Sequence, residues 1–273
     1  MALPARPQRV FDAHFHVIDP SYPLVPNDGY LPPTFLATDL AAALTTLLPP
    51  SFALAGGAVV SGSFQAFDQT YLVASLAALG APYVGVAQLP PDATDVTIIA
   101  LHDNGVRAVR FNLVRGMADD LAVMRSLAQR VHALVGWHCE FYVNSEKLMD
   151  AGVWDLLFSL PCVVVDHVGL SEAGFPHLLR LVKGGNVYVK VTGFSRWLGS
   201  RDGLRTSLVQ LLAMFPTRVV FASDLPSTRA PVPFGADDVT LLLECIAEGP
   251  WAREGLQEEV FWKNAMTLYR CSD

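Results

Sequence analysis

Four side chains able to bind a metal ion follow short apolar runs that lie far apart in the chain. His14 and His16 end the first run, His167 follows the sixth and Asp224 follows the eighth. Two histidines separated by one residue on a strand point to the same side. Neutral imidazole and carboxylate are the usual ligands of zinc and similar divalent ions. The pattern therefore predicts that three imidazoles and one carboxylate meet in a single site.

Other polar residues in these runs have less specific interpretations. A His-x-His pair arises often by chance, but four such groups at the ends of three separate runs do not. Asp12 and Asp166 each precede a site histidine, where they would orient it or sit behind the site. Lys190 alternates with apolar residues, which fits a salt bridge inside the fold as well as it fits chemistry. His138 lies at the start of its run, so we expect a structural role for it.

Apolar runs alternate with segments of helical periodicity along the whole chain. The runs predict about eight strands, at 10–16, 58–62, 83–88, 108–112, 138–143, 163–166, 187–191 and 219–223. This alternation indicates a parallel sheet, and a (β/α)8 barrel takes about 250 residues. We therefore predict a single-domain α/β fold over residues 1–273, a (β/α)8 TIM barrel whose strand ends carry the site. A Pro-rich stretch at about 19–38 is expected to form a loop over the barrel mouth.

The composition argues against several classes of function. The chain has 273 residues, 52% of them hydrophobic, and its 19 basic and 26 acidic residues give a net charge of −7. No basic run stands out, so a small-molecule substrate is expected and nucleic acid is not. The apolar stretches are too short for a bilayer span, and the first residues lack the apolar core of a signal peptide. Four widely spaced cysteines also favour the cytoplasm. The sequence leaves a homo-oligomer open.

Six segments of the chain resemble the amidohydrolase superfamily, whose members are TIM-barrel metal-dependent hydrolases. They keep the family's order and span almost the full chain: FDAHFH (11–16), GVRAVRFN (105–112), GWH (136–138), VVVDHVG (163–169), VKVTG (189–193) and SDLP (223–226). Within the superfamily, the chain is similar to the branch that contains pyrone-dicarboxylate lactonase and sugar-acid lactonases. The resemblance implies a hydrolase that opens a lactone or related cyclic ester of a carboxylate-bearing or sugar-acid substrate.

The resemblance also implies roles for individual residues. Asp224 would be the general base that activates water, and His14, His16 and His167 would polarise the ester carbonyl. The same four residues would hold one divalent metal ion, with zinc expected, or the site would work with none. Arginines would grip a substrate carboxylate, and tyrosines and a polar turn after strand two would line the pocket. These substrate-binding residues are Arg110, Arg196, Tyr30, Tyr142, Ser63 and Gln65.

Departures from the family pattern bear on the metal and the substrate. Strand five carries Tyr142 and Asn144 where many members have a metal-ligating histidine, so a binuclear centre is not expected. The lactonase has a further arginine after strand four, where this chain has Gly116 preceded by Arg115. This segment therefore does not itself predict a dicarboxylate substrate. Two alternatives stay open: a metal-dependent decarboxylase on the same barrel, and a non-catalytic barrel that binds a sugar acid.

Overall fold

A computed structural model describes residues 6–114, 120–248 and 252–271 of the chain. Eight strands form one sheet in which each strand pairs in parallel with the next. The strands are β1 (Gln8–Phe15), β2 (Phe52–Val60), β3 (Tyr83–Ala87), β4 (Val106–Asn112), β5 (His138–Tyr142), β6 (Val163–Val165), β7 (Val187–Val191) and β8 (Val219–Phe221). The predicted (β/α)8 barrel is confirmed. Arg115 and Gly116, noted in the sequence, lie outside the described residues.

Helices follow the strands and cover the outside of the sheet. They are α1 (Leu40–Leu47), α2 (Thr70–Leu79), α3 (Asp95–Asp103), α4 (Leu121–Val135), α5 (Ala151–Ser159), α6 (Phe175–Gly184), α7 (Arg201–Met214), α8 (Ala236–Ala247), and α9 (Leu256–Glu258), which continues through a π-helical turn (Glu259–Lys263) into α10 (Asn264–Tyr269). In the ranges that the structure describes, no helix is both long and apolar enough to cross a bilayer.

Helix α4 illustrates how the local sequence sets these elements. Met124, Leu127 and Val131 repeat at intervals of three and four and are buried against the sheet. The Asp120 carboxylate caps the first turn by accepting from two backbone amides. Gly136 ends the helix with a φ of +71°, a left-handed conformation that glycine adopts without a Cβ clash. Periodicity and caps together therefore position the helix that follows β4.

Strand β2 begins six residues before its predicted start, at Phe52 instead of Ala58. The additional residues include Gly56 and Gly57, and both glycines lie within the strand. A Cβ on Gly56 would lie 2.8 Å from Pro82 Cγ, and one on Gly57 would lie 2.9 Å from a Phe15 ring carbon. The glycines therefore allow close packing of large neighbouring rings on the strand, a requirement that the local sequence does not reveal.

The seam between β1 and β8 closes the barrel at the end that carries the predicted site. The Asp224 amide donates to the His14 carbonyl at 2.8 Å. The Asp12 carboxylate crosses the same seam, because it accepts from the Ser223 amide at 2.9 Å and from the Ser223 hydroxyl at 2.5 Å. It also accepts from the His14 amide at 3.2 Å. Asp12 thus holds together the two strand ends on which His14, His16 and Asp224 lie.

The Pro-rich loop after β1 is attached to the barrel at several points. Ile18 and Phe35 pair as an antiparallel bridge near its two ends. Farther along, the Val25 amide donates to the Phe64 carbonyl at 2.7 Å. These bonds carry the loop across the mouth, where Tyr30 becomes part of the wall of a cavity.

Candidate active site

The carboxyl ends of β1, β6 and β8 bring the four predicted site residues together. His14 Nε2 lies 3.7 Å and His16 Nε2 lies 3.6 Å from Asp224 Oδ1. The ring centres of His14 and His167 are 5.4 Å apart. All four side chains are buried. Groups that are up to 210 residues apart in sequence, from His14 to Asp224, therefore share one small volume.

Two of these residues have backbone conformations that non-glycine residues rarely adopt. His167 has a φ of +53° and Asp224 has a φ of +57°. Gly193 packs against His167, since a Cβ on Gly193 would lie 2.6 Å from His167 Nδ1. Left-handed conformations at such residues cost about 1–3 kcal/mol each and concentrate at functional sites. The fold therefore accepts local strain to aim these two side chains.

A hydrogen bond on the far side of His16 determines which of its ring nitrogens carries the proton. His16 Nδ1 lies 2.7 Å from the Val60 carbonyl oxygen. Because a carbonyl can only accept, Nδ1 is protonated in the neutral ring and Nε2 keeps its lone pair. His14 Nδ1 lies 3.3 Å from Asp166 Oδ1 and 3.4 Å from the Lys190 ammonium, so its neighbours do not select a tautomer. The His16 lone pair thus faces the Asp224 carboxylate, an arrangement that a cation or a hydrogen-bonding water between them stabilises.

The donor atoms of the site fit a divalent metal ion. His14 Nε2 is buried and has no hydrogen-bond partner among the residues described. His14, His16 and Asp224 each offer one ligand atom within 4.8 Å of the others, and His14, Asp166 and His167 form an overlapping group. Two imidazoles and a carboxylate form a known zinc ligand set. Asp166 also contacts the far nitrogen of His14, as outer carboxylates do for ligating histidines.

Burial sets the protonation states in the site. It lowers the pKa of His14 to about 4 and the pKa of His167 to about 3, so both rings are neutral at pH 7. Burial alone would raise the pKa of Asp224, but the nearby His167 and Arg196 side chains hold that pKa well below its usual range. The site therefore presents an ionised carboxylate among neutral imidazoles.

A buried ion-pair network supports the site from inside the barrel. The Lys190 ammonium donates to Glu140 Oε2 and lies 3.6 Å from Asp166 Oδ1 and 3.4 Å from His14 Nδ1. The Tyr269 hydroxyl donates to Glu140 Oε1 at 2.7 Å. Burial raises the pKa of Glu140, but Lys190 and His138 together outweigh burial and bring that pKa to about 2. Of the two interpretations of Lys190, the structure shows the salt bridge.

A cavity of about 30 Å³ adjoins the four-residue cluster. It can hold a water molecule, which needs roughly 10–15 Å³ of such space. Asp224, His16 and His167 are on its wall, whereas His14 is fully buried behind them. The whole described wall consists of His16, Tyr30, Gly62, Ser63, Phe64, Arg110, Asn112, Tyr142, His167, Arg196, Asp224, Thr228 and Arg229. The cavity can therefore place a water molecule against the Asp224 carboxylate.

Comparison with known proteins assigns the chain to a family. The family model described as Amidohydrolase matches residues 11–271. The chain belongs to the amidohydrolase family. A 2-pyrone-4,6-dicarboxylate hydrolase from Comamonas testosteroni is 28% identical, over 98% of this chain and 94% of that protein. A solved structure of a candidate 2-pyrone-4,6-dicarboxylic acid hydrolase from Pseudomonas putida is 25% identical, with a TM-score of 0.77 over 96% of this chain and 98% of that one.

Another solved structure, from Agrobacterium tumefaciens, shares the fold of this amidohydrolase. It has a TM-score of 0.80 over 98% of each chain, at 22% sequence identity. The matches extend over nearly the full barrel, as did the six sequence segments. Membership of the amidohydrolase superfamily, inferred from those segments, is therefore confirmed.

Five of the six predicted substrate-binding residues of this amidohydrolase lie on the cavity wall: Arg110, Arg196, Tyr30, Tyr142 and Ser63. Gln65 is not among the described residues of that wall. Its Oε1 accepts from the Gly62 amide at 2.7 Å, and its Nε2 donates to the Val17 carbonyl at 2.8 Å. Gln65 thus connects the turn after β2 to the chain after β1.

The two predicted arginines are paired with carboxylates inside the protein. Arg110 donates from Nε and Nη2 to Asp166 Oδ2 at 3.1 and 3.0 Å, and from Nη1 to a backbone carbonyl. Arg196 Nη2 donates to Asp224 Oδ2 at 2.8 Å and to the Thr228 carbonyl at 2.7 Å. The bond from Arg196 fixes Asp224 Oδ2, and Asp224 Oδ1 faces His14 and His16. A grip on the substrate stays a prediction for both arginines.

Sequence reasoning missed three polar residues of the wall. Arg229 and Thr228 lie in the loop after β8, and Asn112 ends β4. The signal that could have identified them is their position, since loops and strand ends at the carboxyl face form the sites of such barrels. Arg229 is the most informative of the three, because it adds a third guanidinium to a small cavity.

Proposed function

We propose that this amidohydrolase opens the ring of a lactone or related cyclic ester on a carboxylate-bearing substrate. The observation that carries the proposal is the position of Asp224 Oδ1, within 3.7 Å of two imidazole nitrogens, on a cavity that suits one water molecule. The arginines on the cavity wall supply positive charge for an anionic substrate. The relative from Comamonas testosteroni, named as a dicarboxylate hydrolase, supports the same substrate class.

In the proposed reaction, a water molecule beside Asp224 attacks the lactone carbonyl carbon. Asp224 Oδ1 takes the proton of the water as general base while Arg196 holds Oδ2 in place. The new C–O bond puts negative charge on the carbonyl oxygen, and in the metal-free site an N–H of His167 on the cavity wall stabilises it. Collapse of this tetrahedral species breaks the ring C–O bond, and the proton held by Asp224 passes to the leaving oxygen to give a hydroxyl group. The new carboxylic acid then ionises to a carboxylate and releases one proton. The reaction needs no covalent bond to the enzyme.

We also propose that His14, His16, His167 and Asp224 are the residues that hold a single divalent ion such as zinc. Such an ion, when bound, would act as a Lewis acid that stabilises charge on the carbonyl oxygen. The tautomer of His16 supports this assignment, because its Nδ1–H points to the Val60 carbonyl and its Nε2 lone pair points to the site. The same bond makes His16 Nε2 unsuitable as a hydrogen-bond donor.

Removal of one proposed ligand should weaken zinc binding at least a hundredfold. Calorimetric titration of the wild-type protein with Zn²⁺ is expected to show one equivalent bound, and His16→Ala to lose most of that affinity, because a ligand atom is removed. His177→Ala, on α6, is the matched control and should bind zinc like the wild type. Equal affinity in wild-type protein and His16→Ala would contradict the assignment.

The proposed activity predicts acid release from lactones. Incubation with 2-pyrone-4,6-dicarboxylate and a panel of sugar-acid lactones, followed with a pH indicator, should show one proton per ring opened for at least one compound. Carbon dioxide is measured in parallel, because its release would indicate the decarboxylase instead. Tight binding of a sugar acid without turnover of any lactone would indicate the non-catalytic barrel. Either of these results would contradict the proposal.

A further inference from the structure

Three guanidinium groups surround the cavity, but two of them already have buried partners. Arg110 is paired with Asp166, whose side chain is 0% exposed, and Arg196 is paired with Asp224, whose side chain is 2% exposed. Each of these arginines therefore has a carboxylate that water cannot screen. A substrate anion would have to compete with a buried ion pair to become the main partner of either one.

Arg229 differs from the other two in the partner that balances its charge. Its Nη1 lies 3.6 Å from Asp28 Oδ2, and the Asp28 side chain is 83% exposed. An ion pair with such an exposed acid is screened by water and contributes little. Its remaining contacts are a hydrogen bond to the Asn27 carbonyl and the Tyr30 ring, which lies 4.7 Å from the guanidinium carbon. No buried carboxylate is described for Arg229, so its positive charge is the one most available to a ligand.

The chain after β8 holds Arg229 at this position through a tight turn. The Ser227 amide donates to the Asp224 carbonyl, and Ser227 and Arg229 have φ values of +61° and +55°. These conformations are uncommon in non-glycine residues and mark a backbone whose path is set by its surroundings. The turn therefore connects the proposed general base and Arg229 through a short, ordered segment on one wall.

We infer that Arg229 is a specificity-determining residue that binds a carboxylate of the substrate, away from the ester that reacts. This inference rests on the proposed function for the identity of the substrate, but the anion site itself does not require turnover. A planar guanidinium can form two parallel hydrogen bonds with a carboxylate. In the structure, Arg229 has one hydrogen bond to the Asn27 carbonyl and a more distant contact with Asp28, so a substrate carboxylate would bind it more strongly than these partners do. When the substrate enters, its carboxylate replaces the exposed Asp28 side chain as the partner of Arg229.

The same exchange gives the substrate access to the cavity. Asn27, Asp28 and Tyr30 all belong to the Pro-rich loop, so the contacts of Arg229 with them hold that loop over the mouth. The cavity of about 30 Å³ is too small for a ring that carries carboxylates, because ligand sites have volumes of about 300–1,000 Å³. A carboxylate that takes over Arg229 releases these contacts, so the part of the loop from Asn27 to Tyr30 can move aside while the bonds of Ile18 and Val25 remain.

Binding of isophthalate tests this inference without any turnover. Isophthalate is a planar six-membered ring with two carboxylates in a 1,3 relation, as in 2-pyrone-4,6-dicarboxylate, and it cannot be hydrolysed. We expect the wild-type protein to bind it in calorimetry and Arg229→Gln to bind it at least tenfold more weakly. Arg229→Lys should recover only part of the loss, because an ammonium cannot form the two parallel bonds. Melting temperatures of the variants show that the barrel is intact.

Asp28→Asn is the matched control, because it removes the acid that Arg229 contacts and leaves the arginine. If Arg229 binds the ligand, Asp28→Asn keeps or improves the affinity for isophthalate. If Arg229 only anchors the loop, Asp28→Asn and Arg229→Gln weaken binding alike, and the inference is overturned. Absence of isophthalate binding to the wild-type protein at 10 mM overturns it as well. Loss of binding in Arg229→Gln with no lactone turned over by the wild type would instead retain the anion site and reject the proposed reaction.

Discussion

Asp224→Asn is expected to lower the kcat of lactone opening by about a thousandfold or more while the barrel stays folded. A positioned general base contributes roughly 10²–10⁴ in rate, and a neutral amide cannot take the proton of the attacking water. The asparagine has the same shape, and its carbonyl oxygen can still accept from Arg196 Nη2, which now donates to Asp224 Oδ2 at 2.8 Å. Steady-state kinetics on the lactone identified in the screen measure the effect, and thermal unfolding monitors the fold.

Asp237→Asn provides the control for this substitution. Asp237 is an exposed residue of α8, so the same chemical change there should leave kcat and the melting temperature unchanged. A kcat within tenfold of the wild type for Asp224→Asn would show that another group accepts the proton. The neutral imidazoles of His14 and His167 would then be the next candidates.

Lys190→Met is expected to lower the free energy of unfolding by about 3–5 kcal/mol, the usual cost of removing one partner from a buried ion pair. The Lys190 ammonium contacts Glu140 and lies 3.6 Å from Asp166 Oδ1, and all three side chains are fully buried. Without the ammonium, two carboxylates are left in the barrel without their shared counter-charge. Urea denaturation followed by circular dichroism measures the change.

Adding Glu140→Gln to Lys190→Met distinguishes the loss of the ion pair from the loss of side-chain packing. In the double variant, the glutamine can still accept from the Tyr269 hydroxyl, which lies 2.7 Å from Oε1, and one unpaired charge is gone. The double variant should therefore recover at least half of the loss caused by Lys190→Met alone. Additive losses from the two single substitutions would mean that Lys190 and Glu140 do not stabilise each other.

The sequence was sufficient for features that depend on local pattern. Apolar runs identified all eight strands, because residues of a parallel sheet are covered on both faces. The predicted site followed from one rule, that polar residues at the ends of such strands share a face of the barrel. The same rule explains His138, which begins β5, lies 3.3 Å from Glu140 Oε1 and has no place on the cavity wall described.

Features that depend on pairing across the fold could not be predicted. The bond between Arg110 and Asp166 joins β4 to the end of β6, and nothing in either segment specifies the other. The amide group of Gln65, a predicted substrate-binding residue, bonds to two backbone segments that the local sequence does not connect, and its contact with the substrate stays a prediction. Arg229 was missed because its neighbours in space belong to a loop two hundred residues earlier in the chain.

The most direct test of the mechanism is a single turnover in H₂¹⁸O with enzyme in excess over the lactone. If Asp224 acts as general base, mass spectrometry will find one ¹⁸O in the carboxylate of the opened product and none in the peptide that contains Asp224. If Asp224 instead attacks the ester, a mixed anhydride between Asp224 and the opened substrate forms, and water that cleaves it at the Asp224 carbonyl carbon leaves the ¹⁸O in Asp224. Any ¹⁸O in the Asp224 peptide will therefore contradict direct attack by water, on which the proposed function depends.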